Sequence, residues 1–354
     1  MYGGVVDVYF KVAALHAIGC EIHLHCFVTD DRLPSPELKA VAKAVHFYRV
    51  SRNPFLAFSR LPFSVASRNH PQLEKNIAAV DAPILFDGLK TAMLASRNRF
   101  SDRKRILRLH NIEQDYFAGV AQSETSFVKR LLFSLESWKY KRFEPVISRF
   151  DRVASLSKHE DAHVNAMFGN SEYVPVFHGN KQVAPLEGFG QYALYHGDLR
   201  TSDNVRSALF LASVFADIPD VELVIASGTR NPELDRALSA ARNVRFVAFS
   251  NFEELQEMFG RAHINISWSF QQSGTKLKLV NALFNGRHSI INANITDDQI
   301  LSGLCTLAHD RGNLREAVVN HMMRPYDDHQ RRSEVLSSHL DDKANALRLV
   351  NLFR

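Results

Sequence analysis

Short apolar runs of strand length alternate with helical hydrophobic patterns along almost the whole chain. The runs that we interpret as strands cover residues 22–27, 45–50, 84–86, 106–110, 153–156, 173–177, 193–196, 223–226, 244–248, 264–268, 289–292 and 305–308. This alternation is typical of parallel sheets with helices on both faces. The sequence therefore predicts an α/β protein whose ligands bind at the carboxyl ends of the strands.

The stretch 263–294 carries the clearest binding signal. Its pattern predicts a strand, a small-residue loop over 273–275, a helix and a second strand. A helix that starts after such a loop presents free backbone N–H groups and the positive end of its dipole. Lys276 and Lys278 place two cations in the first turn, where helix energetics disfavour them, so we expect a bound phosphate there. The alternative is an ordinary loop with both lysines in solvent.

The start of the chain departs from the usual order of elements. Gly3 and Gly4 are followed at once by a helical pattern over 5–18. In a doubly wound domain, a glycine loop that opens a helix normally follows the first, central strand. We therefore expect the N-terminal domain to lack its first strand, of roughly a dozen residues with the lead-in loop. The alternative is a helix-first domain, and the intact mass of the native protein separates the two.

Polar groups at two strand ends are candidates for chemistry. Asp87 and Gly88 follow the run 84–86, and His110 ends the run 106–110 immediately before Asn and Glu. Because carboxyl ends of parallel strands meet at one edge of a sheet, we expect both groups in the ligand crevice. A histidine that merely caps its strand is the alternative interpretation of His110.

A proline- and glycine-rich stretch over 174–190 interrupts the alternation, and we place the linker between two domains within it. His178 falls where the domains meet. Arg200 follows the first strand of the second domain, before a helix that we expect Ser202 or Asp203 to cap. This position places Arg200 at the same crevice as the predicted phosphate site.

Two local patterns in the first half predict structure alone. A helix of mixed charge covers 124–149, and we expect Pro145 to kink it. Ser157 is the expected N-cap of the following helix, because Glu160 stands three residues later in capping-box spacing.

Composition and charge limit the classes of binding partner that the sequence predicts. The chain has 354 residues, a net charge of +5 and a pI of about 9.1, which favours an anionic ligand or an acidic membrane surface and is too mild for nucleic acid. The segment 52–69 mixes arginine with phenylalanine and proline, which suits an acceptor-side or membrane-facing surface; a helix pair showing its core face is the alternative.

The compartment is also predicted. No apolar run approaches the roughly 18–20 residues that cross a bilayer, and the three cysteines lack CxxC spacing. We expect reduced thiols in a cytoplasmic protein, with a peripheral position on the inner face of the membrane as a further option.

Several segments together resemble a known family. These are the Gly3–Gly4 loop, LHNIE (109–113), SLSKHED (155–161), PVFH (175–178), YHGDL (195–199) and GTKLKLVNALFNGR (274–287). The chain resembles the retaining, nucleotide-sugar-dependent glycosyltransferases of the GT-B fold, group 1 (family-4-like). The resemblance implies two Rossmann-like domains facing across a cleft, with acceptor binding over 1–180, nucleotide-sugar binding over 190–340, and a C-terminal helix over 341–354 that crosses back.

The resemblance also implies roles for single residues. His110 matches the active-site histidine beside the donor sugar, and Asp7 and Asp87 fall on the acceptor side. The implied donor-binding residues are Gly3, Gly4, Arg200, Ser273, Gly274, Thr275, Lys276, Lys278 and Asn281. The nucleotide-sugar is a substrate, so we expect no cofactor, and we expect no metal because no Asp-x-Asp motif occurs in the chain.

The chain departs from the family pattern at four positions. Ser273 and Asn281 stand where the family has two glutamates, and Asp198 and Asp203 stand where it has an arginine and a lysine. The expected activity is transfer to a glycan or lipid-linked acceptor in cell-surface polysaccharide or glycolipid assembly. A non-catalytic nucleotide-sugar binder or scaffold, and an epimerase that would use Asp87 and Glu113, are the alternatives.

Overall fold

The computed structural model describes residues 3–31, 33–124, 126–238, 242–271 and 275–354. They form two compact units, the first of Gly3–Phe177 and Asp342–Arg354 and the second of His178–Asp341. Ser273 and Gly274 of the predicted phosphate loop lie outside the described residues.

The first unit alternates strands and helices as predicted. Its elements before the crossover are α1 (Gly3–Ala17), β1 (His23–Val28), α2 (Pro36–Val41), β2 (Ala44–Arg49), α3 (Phe63–Ala66), α4 (Pro71–Ala78), β3 (Ile84–Asp87), α5 (Met93–Ser96), β4 (Arg105–Leu109), α6 (Glu113–Ser123), α7 (Phe127–Phe143), β5 (Arg152–Ser155), α8 (Lys158–Phe168) and β6 (Ser171–Tyr173). Short 3-10 turns cover Pro54–Phe58, Leu89–Thr91 and Glu144–Arg149. All strand pairs of this unit are parallel, as the hydrophobic pattern predicted.

The strands of the first unit form two separate sheets. One contains β1 and β2, and the other has the order β3-β4-β5-β6. All six residues of β1 are only half-buried, whereas all five of β4 are buried. Among the described residues, β1 is paired only with β2 and β3 only with β4. Each of these two strands therefore has one open edge. The strand that we expect ahead of α1 stays a prediction.

The second unit contains one six-stranded parallel sheet. Its elements are β7 (Tyr192–His196), α9 (Ser202–Phe215), β8 (Leu223–Ser227), α10 (Pro232–Leu238), β9 (Val244–Ala248), α11 (Phe252–Arg261), β10 (Ala262–Ser267), α12 (Leu277–Asn285), β11 (His288–Ile291), α13 (Gln299–Ser302), β12 (Thr306–Leu307), α14 (Arg311–Met322) and α15 (His329–His339). The strand order is β12-β11-β10-β7-β8-β9. The order reverses between β7 and β10, which is where such sheets form their ligand crevice.

The last helix, α16 (Asp342–Asn351), belongs to the first unit. It packs on α1, where Ala346 and Leu349 join Ala14 in one buried apolar cluster. Within the second unit, His178 Nε2 lies 2.7 Å from the Leu340 carbonyl oxygen. This contact ties the first residue of the second unit to its last turn before α16.

The predicted strand over 173–177 is wrong, because β6 ends at Tyr173. Pro175 has no N–H to donate to a sheet ladder. The carbonyl oxygens of Val174 and Pro175 instead accept hydrogen bonds from the Arg108 guanidinium, at 2.5 and 2.9 Å. The segment is buried, and after the Val174 N–H, which still donates to the Ser155 carbonyl oxygen of β5, it leaves the sheet.

In the first unit the predicted kinked helix over 124–149 is instead divided before Pro145, and the predicted cap of α8 is confirmed. Helix α7 ends at Phe143, and the chain continues as a 3-10 turn that contains Pro145. The Ser157 hydroxyl oxygen accepts the Glu160 N–H at 3.3 Å and so caps α8.

The predicted cap of α9 is wrong. The helix begins at Ser202 with Thr201 as its N-cap, and no side chain caps it. Asp203 is not available for capping because its carboxylate accepts hydrogen bonds from the Ser269 hydroxyl and the Phe270 N–H, at 2.6 and 2.9 Å. The Asp203 side chain thus connects the start of α9 to the segment that follows β10.

We expect Ser157→Ala to lower the free energy of unfolding by about 1 kcal/mol, the usual cost of losing an N-cap. The buried Ser157 hydroxyl holds the first turn of α8 beside β5. Urea unfolding measures the loss, with Ser338→Ala as the control because Ser338 bonds only within its own helix, to the Val335 carbonyl. A loss no greater than that of the control would contradict the capping role.

Candidate functional site

His110 and Asp87 meet at the carboxyl ends of two neighbouring strands. Asp87 is the last residue of β3, and His110 follows β4 directly. Parallel pairing aligns Asp87 with Arg108, so the two ends lie side by side. His110 Nε2 is 2.5 Å from Asp87 Oδ1, and both side chains are partly exposed. The carboxylate therefore fixes the orientation of an accessible imidazole.

A buried lysine holds the other oxygen of Asp87. Lys11 Nζ lies 2.6 Å from Asp87 Oδ2 and 3.1 Å from Asp7 Oδ2. Burial raises the pKa of Asp87, but the charges of Lys11 and His110 outweigh it and hold that pKa below the usual range. Asp87 is thus a charged support for His110, with one oxygen for each partner.

Asp7 lies behind this pair and not on an acceptor-facing surface. Its Oδ1 accepts the Phe177 N–H at 2.9 Å and lies 3.4 Å from Arg108 Nη2, and the side chain is buried. Burial by itself raises the pKa of Asp7, but the charges of Lys11 and Arg108 outweigh this effect. The pKa is therefore below its usual value, and the carboxylate is charged. The acceptor-side role of Asp7 stays a prediction, made for a carboxylate that the structure shows to be buried.

Lys11 and Arg108 were not among the predicted site residues. Both carried a visible signal, since Lys11 stands four residues after Asp7 on one helix face and Arg108 interrupts the apolar run of β4. Charged residues are almost never fully buried unless they are paired. A buried arginine in a central strand therefore implied a carboxylate or several carbonyl groups nearby.

Asp7, Asp87 and His110 offer three potential metal-ligand atoms within 4.8 Å of one another. The Lys11 ammonium already contacts both carboxylates, at 3.1 and 2.6 Å. It supplies the positive charge that a divalent ion would supply, and its repulsion opposes a second cation at the same place. We therefore interpret this cluster as an ion-pair network centred on Lys11.

The second unit gathers a separate cationic group at its strand-order reversal. Lys278, in the first turn of α12, lies with Nζ 2.8 Å from Asn204 Oδ1 and 3.5 Å from the Tyr195 hydroxyl. Tyr195 belongs to β7, and Asn204 belongs to α9. Lys278 therefore connects α12, which follows β10, to the chain that follows β7.

The surroundings of Lys278 lower its pKa into the range in which its charge depends on pH. Burial, and then the positive charge of Lys276, lower the pKa of Lys278 to about 7, against a partly opposing effect of Asp203. His196 is neutral near pH 7, because burial and the Lys278 charge lower its pKa to about 3. An incoming anion would stabilise the charged form of Lys278 and raise its pKa.

Lys276 was predicted to lie in the first turn of α12, but the helix begins one residue after it. Lys276 is the N-cap residue, and Leu277 is the first helical residue. The first turn carries no acidic side chain, so the positive end of the helix is not neutralised from within it. The hydroxyl of buried Thr275 pairs with the Thr296 hydroxyl at 2.9 Å, so it anchors the loop.

Arg200 and Asn281 are engaged within the protein. The exposed Arg200 guanidinium pairs with Asp198, with Nη2 2.6 Å from Oδ2. Asn281 is buried, and its Oδ1 accepts from Asn180 Nδ2 at 3.3 Å. Asn285 donates to both the Asn180 side chain and the Asn281 carbonyl, at 2.9 Å each. Asn180, Asn281 and Asn285 thus form an amide cluster that the sequence did not predict.

The predicted donor-binding residues Gly3 and Gly4 form the first turn of α1, in the first unit. The predicted cationic residues Arg200, Lys276 and Lys278 lie in the second unit. His110, Asp87 and Asp7 belong to one network centred on Lys11. Lys278 belongs to another, with Asn204 and Tyr195, and the charge of Lys276 acts on it.

No protein-family model matches the chain. A protein described as "Uncharacterized 44.6 kDa protein in cps region" from Klebsiella pneumoniae is 24% identical over 309 residues, which are 80% of this chain and 77% of that protein.

Similarity to solved structures shows the fold. Sucrose-phosphate synthase from Thermosynechococcus elongatus matches with a TM-score of 0.68 and 18% identity, over 97% of this chain and 91% of that one. WaaG, a glycosyltransferase involved in lipopolysaccharide biosynthesis, matches with a TM-score of 0.61 and 14% identity, over 100% and 96%. LpCGTa, crystallised in complex with UDP, matches with a TM-score of 0.55 and 11% identity, over 99% and 96%. The chain has the GT-B fold, with two Rossmann-like domains.

Proposed function

We propose that the protein is a glycosyltransferase that moves a sugar, with retention, from a nucleoside-diphosphate-sugar to a glycan or lipid-linked acceptor in cell-surface polysaccharide synthesis. The observation that carries this proposal is the Lys278–Asn204 contact at the strand-order reversal of the second unit. The fold, the relative from a cps region and the structural neighbour bound to UDP support it.

The donor diphosphate binds at the start of α12 in this proposal. Lys276 and Lys278 supply charge, and the first-turn N–H groups of the helix supply hydrogen-bond donors. A departing diphosphate gains negative charge as the bond to the sugar breaks, so cations placed there stabilise the transition state more than the ground state. Arg200 contributes less, because Asp198 already neutralises its guanidinium.

His110 orients the donor sugar, and Asp87 fixes His110. The acceptor hydroxyl oxygen attacks the anomeric carbon, the bond from that carbon to the diphosphate oxygen breaks, and the acceptor proton passes to the departing diphosphate. Burial by itself raises the pKa of Asp87. The charges of Lys11 and His110 outweigh this effect and hold the pKa below its usual range. Asp87 is therefore a poor proton donor for the epimerase alternative, whereas burial raises the pKa of Glu113, the other carboxyl group of that alternative.

A non-catalytic nucleotide-sugar binder is the second candidate. Asn281 stands at a position where the resemblance implies a ribose-binding glutamate, and its amide oxygen is used by Asn180. Asp198 and Asp203 likewise replace expected cations. Asp198 pairs with Arg200, and Asp203 accepts hydrogen bonds from the Ser269 hydroxyl and the Phe270 N–H. These substitutions remove charge from the donor site while leaving the Lys278 network in place.

The experiment is a thermal-stability screen with UDP-, GDP-, CMP- and dTDP-sugars, followed by an assay for donor hydrolysis. We expect one nucleotide class to raise the melting temperature and to be slowly hydrolysed. Stabilisation without hydrolysis would support the binder, and the absence of any shift would contradict both candidates.

Lys276→Ala tests the proposed location of the phosphates. We expect this substitution to abolish the thermal shift, because it removes one of the two cations at the start of α12. Lys39→Ala is the matched control, since Lys39 is exposed on α2 in the first unit. An unchanged shift in Lys276→Ala would place the diphosphate elsewhere.

A further inference from the structure

Helix α7 exposes an apolar face. The exposed large apolar side chains along this helix are Phe127, Val128, Leu131, Leu132, Leu135 and Trp138. Phe127, Leu131, Leu135 and Trp138 are spaced by four, four and three residues, so they form one stripe. Phe127 is 69% exposed and Trp138 is 52% exposed. Contiguous apolar surface of this kind marks an interaction site.

The opposite face of α7 is anchored, so the stripe is not the outer side of a loose helix. Tyr140 and Phe143 are buried in the core of the first unit. Buried Lys139 donates to the Ala57 carbonyl at 2.6 Å, which holds the 3-10 turn Pro54–Phe58 beside α7. That turn exposes Phe58 at 86% and adds to the apolar surface.

Exposed basic residues flank the stripe. They are Lys129, Arg130, Lys141 and Arg142 of α7. The Arg130 and Arg142 guanidinium carbons lie 5.6 and 5.0 Å from the ring centroids of Phe127 and Trp138. The one acidic residue of α7, Glu136, is turned inward and accepts the Phe63 N–H at 2.8 Å. The outward side of this helix is therefore apolar and uniformly cationic.

We propose that this surface, formed by the outward side of α7 and the turn Pro54–Phe58, docks the protein on an anionic lipid surface. Arginine and lysine beside tryptophan, phenylalanine and leucine match the boundary between charged headgroups and acyl chains. No helix in the described parts of the chain has both the length and the apolar character to cross a bilayer.

The charge pattern favours lipid over a second copy of the chain. Two copies meeting through this face would bring like charges together at short range, which costs free energy unless counter-ions are trapped. An anionic bilayer instead neutralises each cation while the apolar stripe enters the interface. This docking does not depend on the proposed donor chemistry. It would bring the protein to the membrane surface, where a lipid-linked acceptor is found.

Vesicle binding tests the proposal directly. The chain has two tryptophans, and Trp268 is buried, so fluorescence of the Trp268→Phe variant reports Trp138 alone. We expect a blue shift and co-sedimentation with vesicles that contain about 30% phosphatidylglycerol, a loss of both in about 0.5 M salt, and no effect with phosphatidylcholine alone.

Charge reversal sharpens the test. Lys129→Glu with Arg130→Glu should weaken binding to the anionic vesicles by at least about tenfold, since each basic residue near the surface contributes to attraction. Lys39→Glu with Arg315→Glu, at exposed positions on α2 and α14, is the matched control and should leave binding unchanged.

Substitution of the stripe tests the apolar part of the contact. Leu131→Ser should weaken binding, and Met167→Ser, at an exposed apolar position on α8, should not. The proposal is overturned by equal binding to neutral vesicles, by no vesicle binding, or by a dimer in solution that the α7 substitutions dissociate.

Discussion

His110→Ala is expected to slow sugar transfer from the donor by about 10²-fold or more, the usual effect of losing a group that positions the reacting atoms. The affinity for the nucleoside diphosphate should stay within about twofold, because the proposed diphosphate site lies in the second unit and His110 in the first. Single-turnover release of the diphosphate measures the first quantity, and calorimetry the second. His309→Ala, an exposed histidine of the second unit, is the control.

Asp87 provides an independent check on this role. If Asp87 acts through His110, the double variant Asp87→Asn with His110→Ala should be no slower than His110→Ala alone. Asp87→Asn should also destabilise the first unit by about 3 kcal/mol, because buried Lys11 loses one of its two carboxylate partners. Additive rate losses would show that Asp87 has a separate function and would contradict the positioning role.

Binding of the nucleoside diphosphate is expected to weaken as pH rises above about 7. Burial and Lys276 lower the pKa of Lys278 to about 7 in the free protein, so the ammonium is the major form below that pH and the neutral amine above it. A bound diphosphate favours the ammonium and raises this pKa. Above about pH 7 the protein must take up a proton to bind, so the dissociation constant rises by up to about tenfold per pH unit until the bound-state pKa is reached.

Calorimetry in two buffers with different ionisation enthalpies measures this proton uptake. We expect close to one proton per ligand near pH about 8.5 and little near pH about 6.5, where the pKa of Lys278 leaves it mostly charged. Lys278→Met should bind weakly at the lower pH and lose the pH dependence, while Lys39→Met should behave as the parent. A dissociation constant that is flat over this range in the parent would contradict a diphosphate contact with Lys278.

Much of the fold was predictable because its signals are local. Buried parallel strands have continuous apolar sequences. Ten of the twelve predicted runs overlap their strands by most of their length, and the run 305–308 does so by half, at β12. The exception is the run over 173–177, where Pro175 cannot join a ladder and Arg108 captures the carbonyl oxygens. His110 and Asp87 were predicted to share a crevice from their positions at strand ends, and the structure brings them into contact.

The parts that could not be predicted depend on partners distant in the sequence. The Asp7 carboxylate accepts a hydrogen bond from Phe177, 170 residues away, and that contact decides that Asp7 is buried. The Thr275 hydroxyl and the Asn281 amide oxygen are likewise satisfied by Thr296 and Asn180. A motif shows which chemical groups are present, but the tertiary structure decides which of them remain accessible to a ligand.

Among the residues that the structure describes, β1 and β3 each have an edge without a partner strand, which affects how the first unit behaves at high concentration. Backbone amides that lack a ladder partner exchange their hydrogens quickly and offer a template to any extended chain that reaches them. At high concentration, strand exchange between copies would begin at these edges. Local opening of the first unit would start at the same edges, and that of the second unit at β9 and β12, the edge strands of its six-stranded sheet.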